Sequence, residues 1–249
     1  MNHAANLSII LVEPQGPLNI GSVCRTMQNF GCNDLRLVNP RTDHLSEAAQ
    51  LMAVKAGHIL KEAKVFPDIG SAVADINLLF GTTRRFGKRY RETFMAPDQA
   101  AVRINSSNPV SRCGLLFGRE DKGLTNEELD RCHHFIAIPT SGELASLNLA
   151  QAVNICLYEI YQQSLAEPNL PVSEWLPAPA EELEGMLQHM RTSLFNLGFF
   201  KDNNPDHILH TFRRIFGRTE LNSREVSILR GLWNCLDKLA ATRKSDKAP

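Results

Sequence analysis

Five short apolar runs, Leu7–Val12, Leu35–Val38, Ile76–Phe80, Gly114–Phe117 and Phe135–Ile138, are each followed closely by Gly, Pro or Asn, and read as buried strands. Their apolarity is continuous rather than alternating, which covers both faces of a sheet and predicts an open, mostly parallel arrangement with helices on each side. Helical periodicity fills the intervals. The clearest case is Asn19–Phe30, with Ile20, Val23, Cys24, Met27 and Phe30 on one face and Gly31 as the stop. Strand and helix alternate to about residue 163, so the reading is an α/β domain over 1–163.

Pro168–Pro179 holds four of the chain's 13 prolines, which blocks regular structure and marks a linker over 164–180. Beyond it, over 181–249, only helical patterns remain: Ala180–Leu197, Asp206–Phe216, and a long helix from about Ser223. Asn222 and Glu225 have capping-box spacing, and Val226, Leu229, Trp233, Leu236 and Leu239 form one apolar stripe.

Composition narrows the function classes. The 249 residues carry 27 basic and 27 acidic side chains, so no global field draws the protein to phosphate, and any nucleic-acid site is regional. The six cysteines form no CxxC pair, which argues against structural zinc and a disulfide framework. With no secretory leader and no apolar run of membrane-spanning length, the expected compartment is the cytoplasm, with no membrane partner. The glycine signatures GxGxxG, GxxxxGK[ST] and GxSxG are absent, which counts against dinucleotide, P-loop and hydrolase chemistry. His133-His134 has no third ligand spaced to help it, and no metal is expected.

Three polar clusters lie at or near the carboxyl ends of strands, where open α/β sheets bind ligands: Asn19–Arg25, Phe117–Leu124, and Ile138–Thr140 running on to Ser146–Ala150. Each also has a purely structural reading. Asn19 suits a helix N-cap, Gly118 and Gly123 suit turns, Arg119 and Glu120 suit a local ion pair, and Ser146 and Asn148 suit caps for the following helix. A capped helix start is itself a polar ligand site, so the two readings are compatible.

The order N-x-G-x-x-x-R, FGREDKGL and IPT…SLNLAQAV resembles the three motifs of the SpoU branch of SPOUT methyltransferases. FRRIFGR and SREVSILRGLW resemble the helical C-terminal extension of TrmJ-type tRNA 2′-O-methyltransferases, so the likeness covers nearly the whole chain. The resemblance implies an α/β fold with a C-terminal trefoil knot around Gly118–Leu124 and Ser141–Tyr158, and a homodimer formed through it. It implies S-adenosylmethionine as cofactor and tRNA as substrate, modified at the first anticodon-loop nucleotide (position 32). Other SpoU relatives modify other tRNA positions or ribosomal RNA. A non-catalytic RNA-binding protein with the same fold is the alternative from another class.

Carried over by position, the resemblance places Thr82, Thr83, Arg84, Gly118, Ile138, Ala145, Ser146 and Leu147 at the cofactor. Position 145 is Ala where relatives often have Ser. Glycine at 118 admits close approach to the ligand, and Ile138 and Leu147 suit the two faces of an adenine ring. The catalytic set implied is Arg25, assisted by Asn19, Glu120, Ser146 and Asn148. A guanidinium is a poor proton acceptor, so Arg25 is expected to grip the phosphate and hydroxyl and to stabilise developing charge.

Thr82–Arg91 packs Arg84, Arg85, Lys88, Arg89 and Arg91 around Phe86 and Tyr90 with no acid, the pattern of an RNA footprint. Residues 201–249 have four more basic than acidic side chains, with Arg213 and Arg214 opposite an apolar face, which extends that footprint to the tail.

Overall fold

The computed structural model describes residues 6–84, 94–141, 146–166, 173–200 and 205–245. It divides into two compact units, Met1–Leu176 and Pro177–Pro249.

The first unit runs β1 (Leu7–Val12), α1 (Pro17–Asn29), β2 (Asp34–Val38), α2 (Glu47–Ala53), α3 (Gly57–Glu62), β3 (Lys64–Phe66), α4 (Ile69–Val73), β4 (Leu78–Thr82), β5 (Phe94–Met95), α5 (Pro97–Asn105), β6 (Cys113–Phe117), α6 (Asn126–Leu129), β7 (His134–Ile136) and α7 (Leu149–Ala166). The seven strands form one sheet in the order β3-β2-β1-β6-β4-β7-β5, and every pairing is parallel. All carboxyl ends therefore open on the same edge.

The continuous apolar runs have a direct explanation in this sheet. Ile9, Leu11, Leu78, Phe80, Leu115 and Phe117 join a core with residues of α1, α2, α3, α5 and α7. The alternate positions Ile10 and Leu79 meet Ile76 around Gly114 instead. Both faces of β1, β4 and β6 are thus buried, at about 1.5–3 kcal/mol for each large aliphatic side chain removed from water. The strands β3 and β5 had no such signal. They are edge strands of three and two residues, and Lys64 and Val65 are exposed. Two predicted strands also shift in register, Ile76–Phe80 to Leu78–Thr82 and Phe135–Ile138 to His134–Ile136.

One polar residue breaks the apolar pattern of β2. Arg36 is only 2% exposed, and its guanidinium holds Asp34 at 2.9 Å, Asp75 at 3.0 Å and the Ala72 carbonyl at 2.7 Å. Lys64 adds a second cation to Asp34 and Arg112 a second to Asp75. The buried charge is tolerated because it is paired and hydrogen-bonded.

The second unit contains α8 (Ala180–Asn196), α9 (Pro205–Thr219) and α10 (Ser223–Ser245). The capping box forms, with the Asn222 N–H on Glu225 at 3.0 Å and the Glu225 N–H on Asn222 Oδ1 at 2.9 Å. Val226 and Trp233 are buried against Met186, Leu187, Met190 and Leu194 of α8, with Leu229 and Leu236 packed beside them. Leu239 departs from the expected stripe: it is exposed, and Ala240 is buried instead. Across the α8–α10 contact, His189 meets Asp237 at 2.9 Å.

Candidate active site

Helix α1 begins without a side-chain cap of its own. Its N-cap is Gly16, not Asn19, and Pro17 opens the first turn. The missing cap comes from 104 residues away, since the Glu120 carboxylate accepts from the Gln15 and Gly16 N–H groups, each at 3.1 Å. An anion at a helix N-terminus also matches the helix dipole. Glu120 further accepts from Asn19 Nδ2 at 2.9 Å, so it does not pair with its neighbour Arg119.

Asn19 extends the chain of bonds. Its Oδ1 accepts from Asn148 Nδ2 at 2.9 Å, and Asn148 Oδ1 in turn accepts from the Ala150 N–H at 2.9 Å, capping α7. Asn148 thus caps α7 with its oxygen and leaves its amide nitrogen to reach Asn19. Three residues from three separate motifs form one hydrogen-bonded series joining two helix starts. Oε1 of Glu120 takes donors from both Gly16 and Asn19, which fixes the Asn19 amide relative to the helix start.

Beside this series, at the carboxyl ends of β4, β6 and β7, lies a cleft with an empty volume of about 790 Å³, open solvent included. Thr82, Thr83, Arg84, Gly118, Ile138, Ser146 and Leu147 all line it, together with Glu120. Ala145 lies outside the described residues, as do Arg85, Lys88, Arg89 and Arg91. Arg25 is exposed on α1 and, like Asn19 and Asn148, is not among the residues that line the cleft.

The motif glycines serve the backbone first. A Cβ on Gly118 would lie 2.1 Å from the Gly123 carbonyl carbon and 2.3 Å from the Leu124 nitrogen, so glycine here admits the protein's own chain and not only a ligand. A Cβ on Gly21 would meet the Ala49 carbonyl oxygen at 2.2 Å, so this motif glycine brings α1 against α2. The Thr82 hydroxyl is also engaged internally, donating to the Leu116 carbonyl at 3.0 Å.

Two further residues matter that the motifs did not single out, Glu13 and Glu128. Arg119 donates to Glu128 through both terminal nitrogens, at 3.1 and 3.0 Å, and to Glu13 through Nε at 3.2 Å. Glu13 also holds Arg41 at 2.8 and 3.0 Å, and the Arg119 and Arg41 bonds bring its carboxyl from 4.5 down to about 2. The same two acids push the Arg119 guanidinium further up. Glu128 has a second task in a capping box with Thr125, whose T-x-x-E spacing was legible in the sequence. The signal for Glu13 was an acid immediately after a fully buried strand.

In the second unit Arg213 is turned to α8, where it pairs with Glu184. Its charge is thus shared with an acid of its own unit. Arg214 is exposed. His133 is structural: it is buried, and its Nδ1 accepts from the Leu79 N–H at 2.9 Å.

Residues 6–158 match the model of the SpoU rRNA Methylase family, and residues 181–246 match the C-terminal domain of tRNA methyltransferase TrmJ. The chain is similar to the tRNA (cytidine/uridine-2'-O-)-methyltransferase TrmJ of Yersinia pestis, 35% identical over 249 residues that span 98% of this chain and 94% of the relative. It resembles the crystal structure of TrmJ from Z. mobilis ZM4 with a TM-score of 0.80 and 36% identity, over 92% of this chain and 98% of that one. A structure concerning the 2-OH methylation of C/U34 on tRNA matches with a TM-score of 0.53 and 26% identity, over 64% of this chain and 97% of its own.

Proposed function

Because the chain belongs to the SpoU rRNA Methylase family and carries the TrmJ C-terminal domain, we propose that it methylates the ribose of the first anticodon-loop nucleotide of tRNA, position 32, as cytidine or uridine. It is an S-adenosylmethionine-dependent tRNA 2′-O-methyltransferase. The observation that carries the reading is the convergence of Thr82, Thr83, Arg84, Gly118, Ile138, Ser146 and Leu147 on one cleft beside the Asn19–Glu120–Asn148 series.

The cleft suits the cofactor. Ile136, Ile138, Leu147 and Leu149 offer apolar walls for an adenine, while Glu120, Asp121, Lys122 and Arg84 offer charges of both signs for an amino-acid end. Bound there, S-adenosylmethionine supplies a methyl group on a sulfonium leaving group. The chain's own work is positioning and charge stabilisation. Arg25 grips the phosphate and the 2′-oxygen, whose proton passes to that phosphate or to water, Asn19 and Asn148 hold their amides in place, and Ser146 lines the cleft. The segments around Gly118–Leu124 and Ser141–Tyr158 are expected to form the family's trefoil knot.

The enzyme is proposed to act as a homodimer through this region. Supporting this, Leu18 of α1 and Tyr158, Tyr161 and Leu165 of α7 are exposed apolar side chains on two helices that pack together. Arg25 is exposed on α1, and it is proposed to serve the site of the second copy. Basic residues 84–91, Arg213 and Arg214 are proposed to meet tRNA, and a tRNA substrate implies residence in the cytoplasm.

The test is to incubate the purified protein with labelled S-adenosylmethionine and RNA from a strain lacking it, and to map 2′-O-methyl sites by nuclease digestion and mass spectrometry. Label at position 32 is expected. Label at nucleotide 34 or in ribosomal RNA would overturn the position, and no label would favour a non-catalytic RNA-binding protein.

A further inference from the structure

We infer that Glu13 is a positioning residue for methyl transfer, acting through Arg119 on the loop that walls the cleft; this rests on the methyltransferase reading above. Glu13 follows β1 directly and has φ +46°, the left-handed region that residues with side chains enter at a cost and that tends to be kept where function requires it. Its N–H still reaches the Val38 carbonyl at 2.8 Å, so the turn begins without releasing the β1–β2 ladder.

From this turn the carboxylate joins two loops. One follows β2 and contributes Arg41; the other follows β6 and contributes Arg119. Arg119 lies within the loop from Gly118 to Leu124, where the Gly123 N–H returns to its carbonyl at 2.8 Å. Its far side is tied by Glu128, which also accepts from the Thr125 N–H at 2.7 Å. The guanidinium is therefore clamped between an acid at the end of β1 and an acid on α6.

This clamped loop supplies the cleft wall from Gly118 to Leu124 and carries Glu120, the group that orients Asn19. Loss of Glu13 leaves Glu128 as the acid on Arg119 among the described residues. The loop then shifts relative to α1, and small displacements of a site are costly in rate. Neither Glu13 nor Glu128 lines the cleft, so both act through Arg119.

The experiment compares wild type, Glu13→Ala, Glu13→Gln, Arg119→Ala, the Glu13→Ala/Arg119→Ala double variant and Asp75→Asn as a destabilised control. S-adenosylhomocysteine affinity is read by calorimetry, kcat and KM on tRNA by methyl incorporation, and folding by thermal melting. Glu13→Ala is expected to weaken S-adenosylhomocysteine by about tenfold or more and to lower kcat, with KM for tRNA within about twofold. Glu13→Gln, which keeps an acceptor oxygen for Arg119, is expected to recover part of the loss. The double variant should be no worse than Arg119→Ala. Folded Glu13→Ala with unchanged affinity and kcat, additive effects, or equal losses in Asp75→Asn would each overturn the role. Failure of wild type to bind S-adenosylhomocysteine in the same titration would instead overturn the methyltransferase reading.

Discussion

Asn19 and Asn148, 129 residues apart in the chain, share a hydrogen bond of 2.9 Å that ties the start of α1 to the start of α7. Each amide is engaged at both ends, Asn19 by Glu120 and Asn148 by the first turn of α7. Asn148→Ala is expected to lower kcat by about 10²-fold through lost orientation while costing only about 0.5–1.5 kcal/mol of stability. Single-turnover rates beside urea melts check both halves. A stability loss with kcat intact would reduce the pair to a helix cap.

Arg25 is expected to separate chemistry from binding. Because it does not line the cleft, Arg25→Ala should lose about 10²–10³-fold in turnover and keep S-adenosylhomocysteine affinity. Arg25→Lys should recover little, since an ammonium cannot present a planar fork to phosphate and hydroxyl. Mixing Arg25→Ala subunits with subunits disabled in the cleft should restore part of the activity if the site is completed between copies.

Gly118→Ala is expected to be disruptive in a way that a surface loop glycine would not be. The added carbon would lie 2.1 Å from backbone, which cannot rotate aside as a side chain can. A loss of about 1–3 kcal/mol and of cofactor affinity is expected, read by melting and calorimetry. A variant of unchanged Tm would mean that the loop has a second arrangement.

Glu13 makes a pH prediction with a defined sign. Its carboxyl titrates near 2 in the folded chain against an ordinary 4.5, through the Arg119 bond first and the Arg41 bond next. A depressed carboxyl stabilises fully above its unfolded value and loses that contribution as pH falls toward its folded one. The stability gap between wild type and Glu13→Gln is therefore expected to be constant above about pH 5 and to narrow as pH falls toward about 2. Denaturant melts across that range measure it, and a gap that stays constant contradicts the ion pairing.

The Arg36 network gives a stability prediction remote from catalysis. Removing both counter-charges, as in Asp34→Asn/Asp75→Asn, leaves a buried guanidinium without an acid and should cost about 3–5 kcal/mol. Arg36→Met should cost much less, because Lys64 and Arg112 still serve the two acids.

The central strands were legible in the sequence because β1, β4 and β6 are buried on both faces, and burial writes itself as unbroken apolar runs. Lys64–Phe66 and Phe94–Met95 were not, because a short edge strand needs only backbone bonds and leaves no such trace. The cleft residues were legible through motif order, but their partners were not. Nothing local in Gly16 announces that its cap is Glu120, and nothing in the pair Arg119-Glu120 shows that the two charges turn to different partners. The partner of Arg213 was hidden for the same reason, since helical periodicity shows the side of a helix that is polar but not that Glu184 waits opposite it.

The position of β6 between β1 and β4 has a consequence for how the protein is made. Leu7 pairs with Cys113, so the middle of the sheet stays open until the chain has emerged past residue 113. At typical synthesis rates that interval lasts roughly 5–20 s for the inner edge of β1 and roughly a third of that for β4, with unpaired backbone and apolar side chains exposed meanwhile. Such long-range parallel closure folds slowly and is vulnerable to mispairing. A nascent chain stalled shortly before residue 113 is thus the form of this protein most in need of a chaperone.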